Sequence, residues 1–366
     1  MASRFKPTVN DDDKLSMVIS DVDVAVVNAL RRIILAEIPN VAFDLNDPES
    51  IAIKTNTCSL HNEFLAHRLS LVPLCFKPEI IEGGERVHDF HFRLEKQNTT
   101  TSIMSVTTAD FKIVDKKTNT ELTGKEKEAI LPRNPITGAH ILLTKLKPNF
   151  VNPSNGDALV LDAFPRVGVA KQHSCWSPVS LCTYYNAVDE DDAKAALLAY
   201  MEGNPKIKPD IAEKRFNSLE RQRCFKKNAF GEPREFVFEI ESECRLTPMW
   251  IFAKAIDILI KSYVEAVENM RDVTNNDDAV IRVIHVPGND HTLGNFLQST
   301  LYNMYVRGKK GLSYVGYYQP HPNERAVVLK IRADPPIKAI DFLKSKQADI
   351  LKYLNDIKAA FDSQVK

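Results

Sequence analysis

Two stretches of this chain spell the same short pattern, and a duplicated unit restricts a fold more than any single motif does. Residues 27 to 35 read VNALRRIIL and residues 294 to 302 read GNFLQSTLY. Asn28, Leu30 and Ile34 in the first match Asn295, Leu297 and Leu301 in the second. A V-x-aromatic step follows each (Val41-Ala42-Phe43; Val315-Gly316-Tyr317), then a turn with proline (Pro48; Pro320 and Pro322) and an alternating run (Ile51 to Lys54; Ala326 to Ile331). Both halves close on a long amphipathic helix, Met249 to Met270 and Ile340 to Phe361, with apolar residues three and four apart. Each copy therefore reads strand, helix, two strands and a C-terminal helix, an α+β unit whose helices need an apolar surface to cover.

Two such units in one chain suggest a pseudo-twofold dimer made intramolecular, an internal pair rather than a homo-oligomer. In the first, Ser20 is placed as N-cap with Asp23 three residues on, and Val24, Val27, Leu30, Ile34 and Ile38 form one stripe until Pro39 stops the helix. In the second, Asp290 caps a helix whose stripe is Leu293, Phe296, Leu297, Leu301 and Met304. Facing stripes bury a dimer core of Leu30, Ile34, Leu293, Gly294, Phe296, Leu297 and Leu301, with Gly294 allowing another backbone or helix close. Each large side chain there contributes about 1.5 to 3 kcal/mol before entropy is subtracted. Asn28 and Asn295 read as side-chain caps or as hydrogen-bonding to neighbouring backbone, rather than as ligands.

The first unit is split by strand-like runs (His88 to Leu94, Thr101 to Val106, Ile141 to Leu146, Leu159 to Phe164) between Gly, Pro and Asn turns, a β-rich insertion. The expected division is residues 1–74 with 234–271 for the first unit, 75–233 for the insertion, 272–279 for a polar linker and 280–366 for the second unit. The acidic run Asp189 to Asp192 and the basic stretch Lys214 to Lys227 read as solvated faces.

Charge and motifs narrow the function. Lys plus Arg is 48 and Asp plus Glu is 48, so no net field draws the chain onto nucleic acid or anionic lipid. The six cysteines (Cys58, Cys75, Cys175, Cys182, Cys224, Cys244) form no C-x-x-C pair and read as reduced thiols of an intracellular protein. The first residues lack the apolar core of a secretory signal, and Trp250 to Val267 is interrupted by Lys254, Asp257, Lys261 and Glu265, against a membrane span. Magnesium chemistry needs clustered carboxylates, whereas Asp21-Val22-Asp23 lacks a third aspartate and a glycine and reads as a helix cap. His173, Cys175 and Trp176 reproduce no nucleophile geometry and read as core, and Gly83-Gly84 lacks the Lys-Ser or Lys-Thr of a phosphate loop. No catalytic, cofactor-binding or metal residue is expected.

NALRRIILAEIPNVAFD at 28–44, LHNEFLAHRLSLVPL at 60–74, KQHSCWSPVS at 171–180 and FVFEIESECRLTPMWIFAKAIDIL at 236–259 resemble the alpha-like third-largest subunit of eukaryotic RNA polymerase II. Archaeal D and the bacterial alpha N-terminal domain are its relatives. NDHTLGNFLQSTLY at 289–302 and VGYYQPHPNERAVVLKIR at 315–332 resemble its small alpha-like partner, the eleventh subunit or archaeal L. The chain looks like both subunits fused, an arrangement of large cytoplasmic DNA viruses. The resemblance implies a non-catalytic assembly platform of a DNA-directed RNA polymerase, binding the second-largest and then the largest subunit beside small subunits, with little or no direct nucleic acid contact. It implies magnesium in the largest subunit rather than here, and for a viral chain a place in the virion and the host cytoplasm or nucleus. Many third-subunit relatives carry a four-cysteine zinc loop, or iron-sulfur ligands in archaea. Lys77 to Glu85 has no cysteine, so no metal is expected.

The subunit-interface residues on these motifs are Arg31, Arg32, Glu37, Asp44, His61, Glu63, His67 and Arg68. Arg31 and Arg32 have no Asp or Glu three or four positions away, and unpaired guanidinium forks suit carboxylates or carbonyls of a partner; the other reading has both facing water. On a helix capped by Ser59 with Leu60, Phe64 and Leu71 as buried edge, His61, Glu63, His67 and Arg68 form a polar cluster, either a local ion pair or a subunit contact. An alternative function is a free-standing DNA-binding regulator using Arg31, Arg32, Arg307, Lys309 and Lys310. Zero net charge and the lack of a helix-turn-helix or zinc finger count against it.

Overall fold

The computed structural model describes residues 4–152, 155–242, 246–274, 281–333 and 339–365. The chain begins β1 (Phe5–Asn10), β2 (Lys14–Ser20), α1 (Val24–Ala36), β3 (Pro39–Ala42), β4 (Ile51–Asn56), α2 (Asn62–Ser70) and α3 (Pro78–Gly83). It continues through β5 (Phe90–Gln97), β6 (Met104–Thr107), β7 (Lys112–Asp115), β8 (Thr120–Leu122), α4 (Gly124–Ile130), β9 (Leu142–Leu146), β10 (Ala158–Ala163) and β11 (Arg166–Val169). Then come β12 (Val179–Asn186), α5 (Glu190–Gly203), α6 (Pro209–Leu219), β13 (Glu235–Ser242) and α7 (Pro248–Asn269). The last part is β14 (Arg271–Asp272), β15 (Arg282–Pro287), α8 (His291–Leu301), β16 (Leu312–Tyr318), β17 (Ala326–Ala333), α9 (Ala339–Ser345) and α10 (Gln347–Val365). The fold is α+β, and it packs as two units: residues 1–34, 181–241 and 248–366 in one, 35–180 with 242–247 in the other.

The first unit holds two four-stranded sheets of matching order, β1-β2-β13-β12 and β14-β15-β17-β16. In one, Ser20 of β2 lies opposite Glu235 of β13; in the other, Pro287 of β15 lies opposite Ala326 of β17. A helix, α1 or α8, follows the strand β2 or β15. The counterparts of β16 and β17 are therefore β12 and β13, which corrects the pairing of Val41-Ala42-Phe43 and Ile51–Lys54 with them. Those residues belong to the second unit, where β3 pairs with β11 and β4 with β10. Alternating apolar residues mark any half-buried strand, and only the ladder of hydrogen bonds says which sheet it joins.

Packing consequently divides the chain at 34 and 180, not at 74 and 234. Residues 187–234 belong to the first unit and carry helices rather than strands, around a small cluster of Ala193, Phe216 and Cys224. The acidic run there is a cap: the Asp189 carboxylate accepts from the backbone N–H groups of Asp191 and Asp192. Asp272 of the expected linker pairs with Ile284 as the end of β14, and linker residues 275–279 lie outside the described residues.

Elements of both copies share the core of the first unit. Phe5 of β1 meets Phe252 of α7 and Phe361 of α10 edge-on, with centroids 5.8 and 5.5 Å away. Tyr263 of α7 meets Phe296 of α8 at 6.1 Å. All five rings are essentially solvent-free, and aromatic pairs of this geometry add to the area they bury. The expected single helix Ile340–Phe361 breaks at Lys346, where the Ser345 hydroxyl donates to the Phe342 carbonyl at 2.7 Å and competes with the helical ladder. In the second unit, the sheet β4-β10-β5-β7-β8 buries Phe92 against Phe43 and Phe111.

Candidate subunit interface

In the first unit, α1 is capped by Asp23, whose Oδ1 accepts from the Ala25 N–H at 2.7 Å. Ser20 is not the cap: it ends β2, and Asp21, at φ 56°, turns the chain in between. The buried face is wider than the expected stripe, taking in Ala25, Val26, Ala29 and Ile33, while Val24 is exposed. Asp290 caps α8 through the Thr292 N–H at 2.8 Å. Leu30, Ile34, Leu293, Gly294, Phe296, Leu297 and Leu301 are all buried. A Cβ on Gly294 would lie 2.6 Å from the Tyr317 ring, so this glycine makes room for β16 of its own copy. Tyr305 is buried where Met304 was expected, because a π-helical turn at Tyr302–Val306 shifts the phase of the stripe.

The arginines of α1 are not unpaired. Arg31 donates from Nε and Nη2 to Asn28 Oδ1 at 3.1 and 3.0 Å, so Asn28 bonds a side chain rather than backbone. Arg32 reaches α8, donating from Nε to Thr292 Oγ1 at 2.8 Å with Nη2 3.9 Å from Asp290. Reciprocally, Asp23 Oδ2 accepts from Ser299 Oγ at 2.9 Å and Asn303 Nδ2 at 2.5 Å. Arg32 stands nine residues after its cap Asp23, and Ser299 nine after Asp290. Each capping carboxylate thus meets the equivalent position of the opposite helix, with partners that lie too far along the chain for helical spacing to reveal.

Arg307, just beyond the π turn, binds Glu232 through both terminal nitrogens, at 3.1 and 2.5 Å. Its guanidinium lies over the Phe230 and Tyr302 rings, 4.1 and 5.3 Å from their centroids. The hydrogen bond to Arg307 is the main cause holding the Glu232 carboxyl below the ordinary range. Three of the five basic side chains considered for DNA binding therefore have partners within the chain.

In the second unit, Glu37 binds Lys171 at 3.1 Å, and Asp44 accepts from the Asn46 N–H at 2.9 Å. Helix α2 starts at Asn62 with His61 as an N-cap that makes no side-chain bond; Ser59 lies outside it. Its start is held by Asn56, whose amide donates to the Leu60 carbonyl and to Asn62. Leu65, Leu69 and Val72 form the buried edge, whereas Phe64 is 67% and Leu71 53% exposed, the reverse of the expectation. The i, i+4, i+7 set 65-69-72 is aliphatic throughout and sets the phase. Among the described residues no ion pair joins Glu63 to His67 or Arg68. Arg68 instead donates to the Leu143 and Leu142 carbonyls of β9, at 3.0 and 2.5 Å.

Two motifs distant in sequence meet here. The His67 ring lies 6.4 Å from that of His173, and a recess of about 210 Å³ is lined by Asn40, Leu71, Pro73, Ser174, Cys175 and Ser177 among others. Trp176 is buried over Gly168, where any Cβ would fall 2.4 Å from the indole, and its Nε1 donates to the Arg166 carbonyl at 3.2 Å. Burial, then the Asp44 carboxylate, pushes the Cys175 thiol up to about 11, and His173 Nδ1 accepts from the Cys175 backbone N–H. Such a thiol stays protonated at neutral pH and is no nucleophile. Asn40, Asn56 and Gly168 carry no signal in the sequence alone, since each works through a distant segment. Among the described residues, no group of three or more His, Cys, Asp or Glu is placed to hold a metal, and no helix is long and apolar enough to cross a membrane.

A family model described as the RNA polymerase Rpb3/Rpb11 dimerisation domain matches residues 16–263, and another of the same description matches 282–360. The chain belongs to the RNA polymerase Rpb3/Rpb11 dimerisation-domain family. Within it, the chain is 26% identical over 308 residues to subunit 3 of the DNA-directed RNA polymerases II, IV and V of Arabidopsis thaliana, covering 73% of this chain and 91% of that protein. It is 26% identical over 273 residues to the DNA-directed RNA polymerase subunit Rpo3 of Methanobrevibacter smithii, covering 68% and 91%. To the DNA-directed RNA polymerase II subunit rpb3 of Dictyostelium discoideum it is 25% identical over 287 residues. The second dimerisation-domain match opens at Arg282, the first residue of β15, so α1 falls within one match and α8 within the other.

Proposed function

We propose that this chain is the assembly-platform subunit of a multisubunit DNA-directed RNA polymerase, and that its two dimerisation domains pair with each other inside one polypeptide. The observation that carries this reading is the tandem of two Rpb3/Rpb11 dimerisation-domain matches, with α1 of one and α8 of the other packed in a single unit. Relatives named as polymerase subunits over 91% of their length support it. The platform offers its partners, the second-largest and then the largest subunit, a surface built on α2: exposed Phe64 and Leu71 flank Arg68 on the helix, beside the recess at Ser174 and Cys175. An apolar anchor rimmed by polar groups is the usual anatomy of such a contact. The first dimerisation domain in this reading comprises residues 1–34, 181–241 and 248–270, with 35–180 inserted.

Affinity purification of the tagged chain from its natural setting, with mass spectrometry of what accompanies it, tests the reading. Two very large polypeptides at equal stoichiometry and RNA synthesis in the eluate are expected. Phe64→Glu should reduce their recovery at least about tenfold while leaving the melting temperature unchanged. A chain that purifies alone overturns the proposal.

A further inference from the structure

The two cap contacts between α1 and α8 follow the pseudo-twofold relation, and for that reason they do not choose partners. Two first copies facing each other would oppose Asp23 to Arg32 twice, a favourable pair of ions. Two second copies would oppose Asp290 to Ser299. Neither arrangement is excluded by the caps, so discrimination between like and unlike pairing needs an element that lacks a symmetric mate.

The Arg307 contact is such an element. Arg307 occurs only in the second copy, after the π-helical turn that extends α8. Glu232 and Phe230 occur only in the first copy, on the excursion of residues 187–234 between β12 and β13. The second copy joins the matching strands β16 and β17 with residues 319–325 alone. The acceptor is held ready by its own turn. Asn228 Oδ1 accepts from the N–H groups of Phe230 and Glu232 at 2.9 and 3.0 Å, and Asn228 Nδ2 donates to the Glu232 carboxylate at 2.9 Å. Gly231 takes the φ of 80° that closes this turn, a conformation other residues rarely adopt. A recess of about 530 Å³ beside it is lined by Asp23, Ser299 and Asn303 as well as Glu232 and Arg307, so the clamp adjoins one of the cap contacts.

We propose that the Glu232–Arg307 clamp, with Phe230 stacked on the guanidinium, is the specificity determinant that makes the dimerisation domains pair unlike with unlike. The inference rests on the reading that the two domains pair within the chain. A second copy paired with its own kind has no carboxylate for Arg307, and a first copy paired with its own kind has no cation for Glu232. A bidentate guanidinium fork suits this task, because its geometry as well as its charge must be matched.

The test starts from the full chain with a protease site inserted within residues 275–280, cut after folding, and followed by native mass spectrometry and dilution. Wild-type pieces should stay together as a one-to-one complex; pieces that separate on cutting would overturn the pairing reading itself. Given that complex, Arg307→Glu should weaken it about tenfold, as like charges replace the ion pair, and raise the share of like-with-like dimers. Arg307→Met, which keeps the stem and cannot repel, should show a smaller shift in the same direction. The exchange Glu232→Arg with Arg307→Glu should restore most of the affinity and selectivity. Unchanged selectivity in both single variants, or an exchange whose effects merely add, would overturn the clamp while leaving the pairing intact.

Discussion

Arg31 and Arg32 are neighbours in sequence with different structural duties. Arg31 is bound to Asn28 one turn back on its own helix, whereas Arg32 crosses to Thr292 and the cap Asp290 of α8. Arg32 is partly exposed, so solvent limits what its contacts contribute. Replacing Arg32 by Ala should cost about 1 kcal/mol in urea unfolding, and Arg31 by Ala less than about 0.5 kcal/mol. Arg31 is then the better of the two for contact with another subunit. Gly168→Ala should cost more than either, about 2 kcal/mol, since Trp176 fills the space a methyl group needs and a packed interior yields little.

At the scale of elements, helix starts and strand ends are held by side chains whose charge state matters. Arg86 binds both Asp89 and Asp115, the last residue of β7. The Arg86 hydrogen bond is the main cause that lowers the buried Asp115 carboxyl from 3.8 to about 2. Because the folded value lies below the unfolded one, the stabilisation is complete above about pH 4 and disappears as pH falls through about 2. Its size is about 2 kcal/mol from the shift alone. Unfolding free energies measured at pH 7, 4 and 2.5 should fall mainly below pH 4, and Asp115→Asn should be less stable at pH 7 and lose part of that slope. A slope unaltered in the variant would assign the acid sensitivity to other carboxylates. Helix α2 shows how local reading goes astray by phase: its existence is legible in LHNEFLAHRLSLVPL, yet Phe64 is out and Leu65 in, because β9 supplies the surface that selects one of two similar stripes.

For the molecule as a whole, stability should depend on the helices of both copies at once. Leu30 and Leu297 are at or below 2% exposure, so an Asp at each position would bury a carboxylate without a partner. The double variant Leu30→Asp with Leu297→Asp should lose its cooperative melting transition, and a wild-type-like melt would show that the two helices do not depend on a common core. What the sequence determined by itself is the set of local devices: the duplicated Asn-Leu-aliphatic stripe, the Asp290 cap, the amphipathic α7, and the strands β5, β6, β9 and β10 within a residue or two or three of their ends. Those depend on residues a few positions apart, where periodicity and capping act. Tertiary structure alone decided that β12 and β13 complete the first sheet, that Arg32 and Asp23 bind across to α8, and that Glu232 meets Arg307 from 75 residues away. A strand's neighbour and an ion's counter-ion are chosen among segments that the chain brings together only on folding, and no spacing along the sequence encodes that choice.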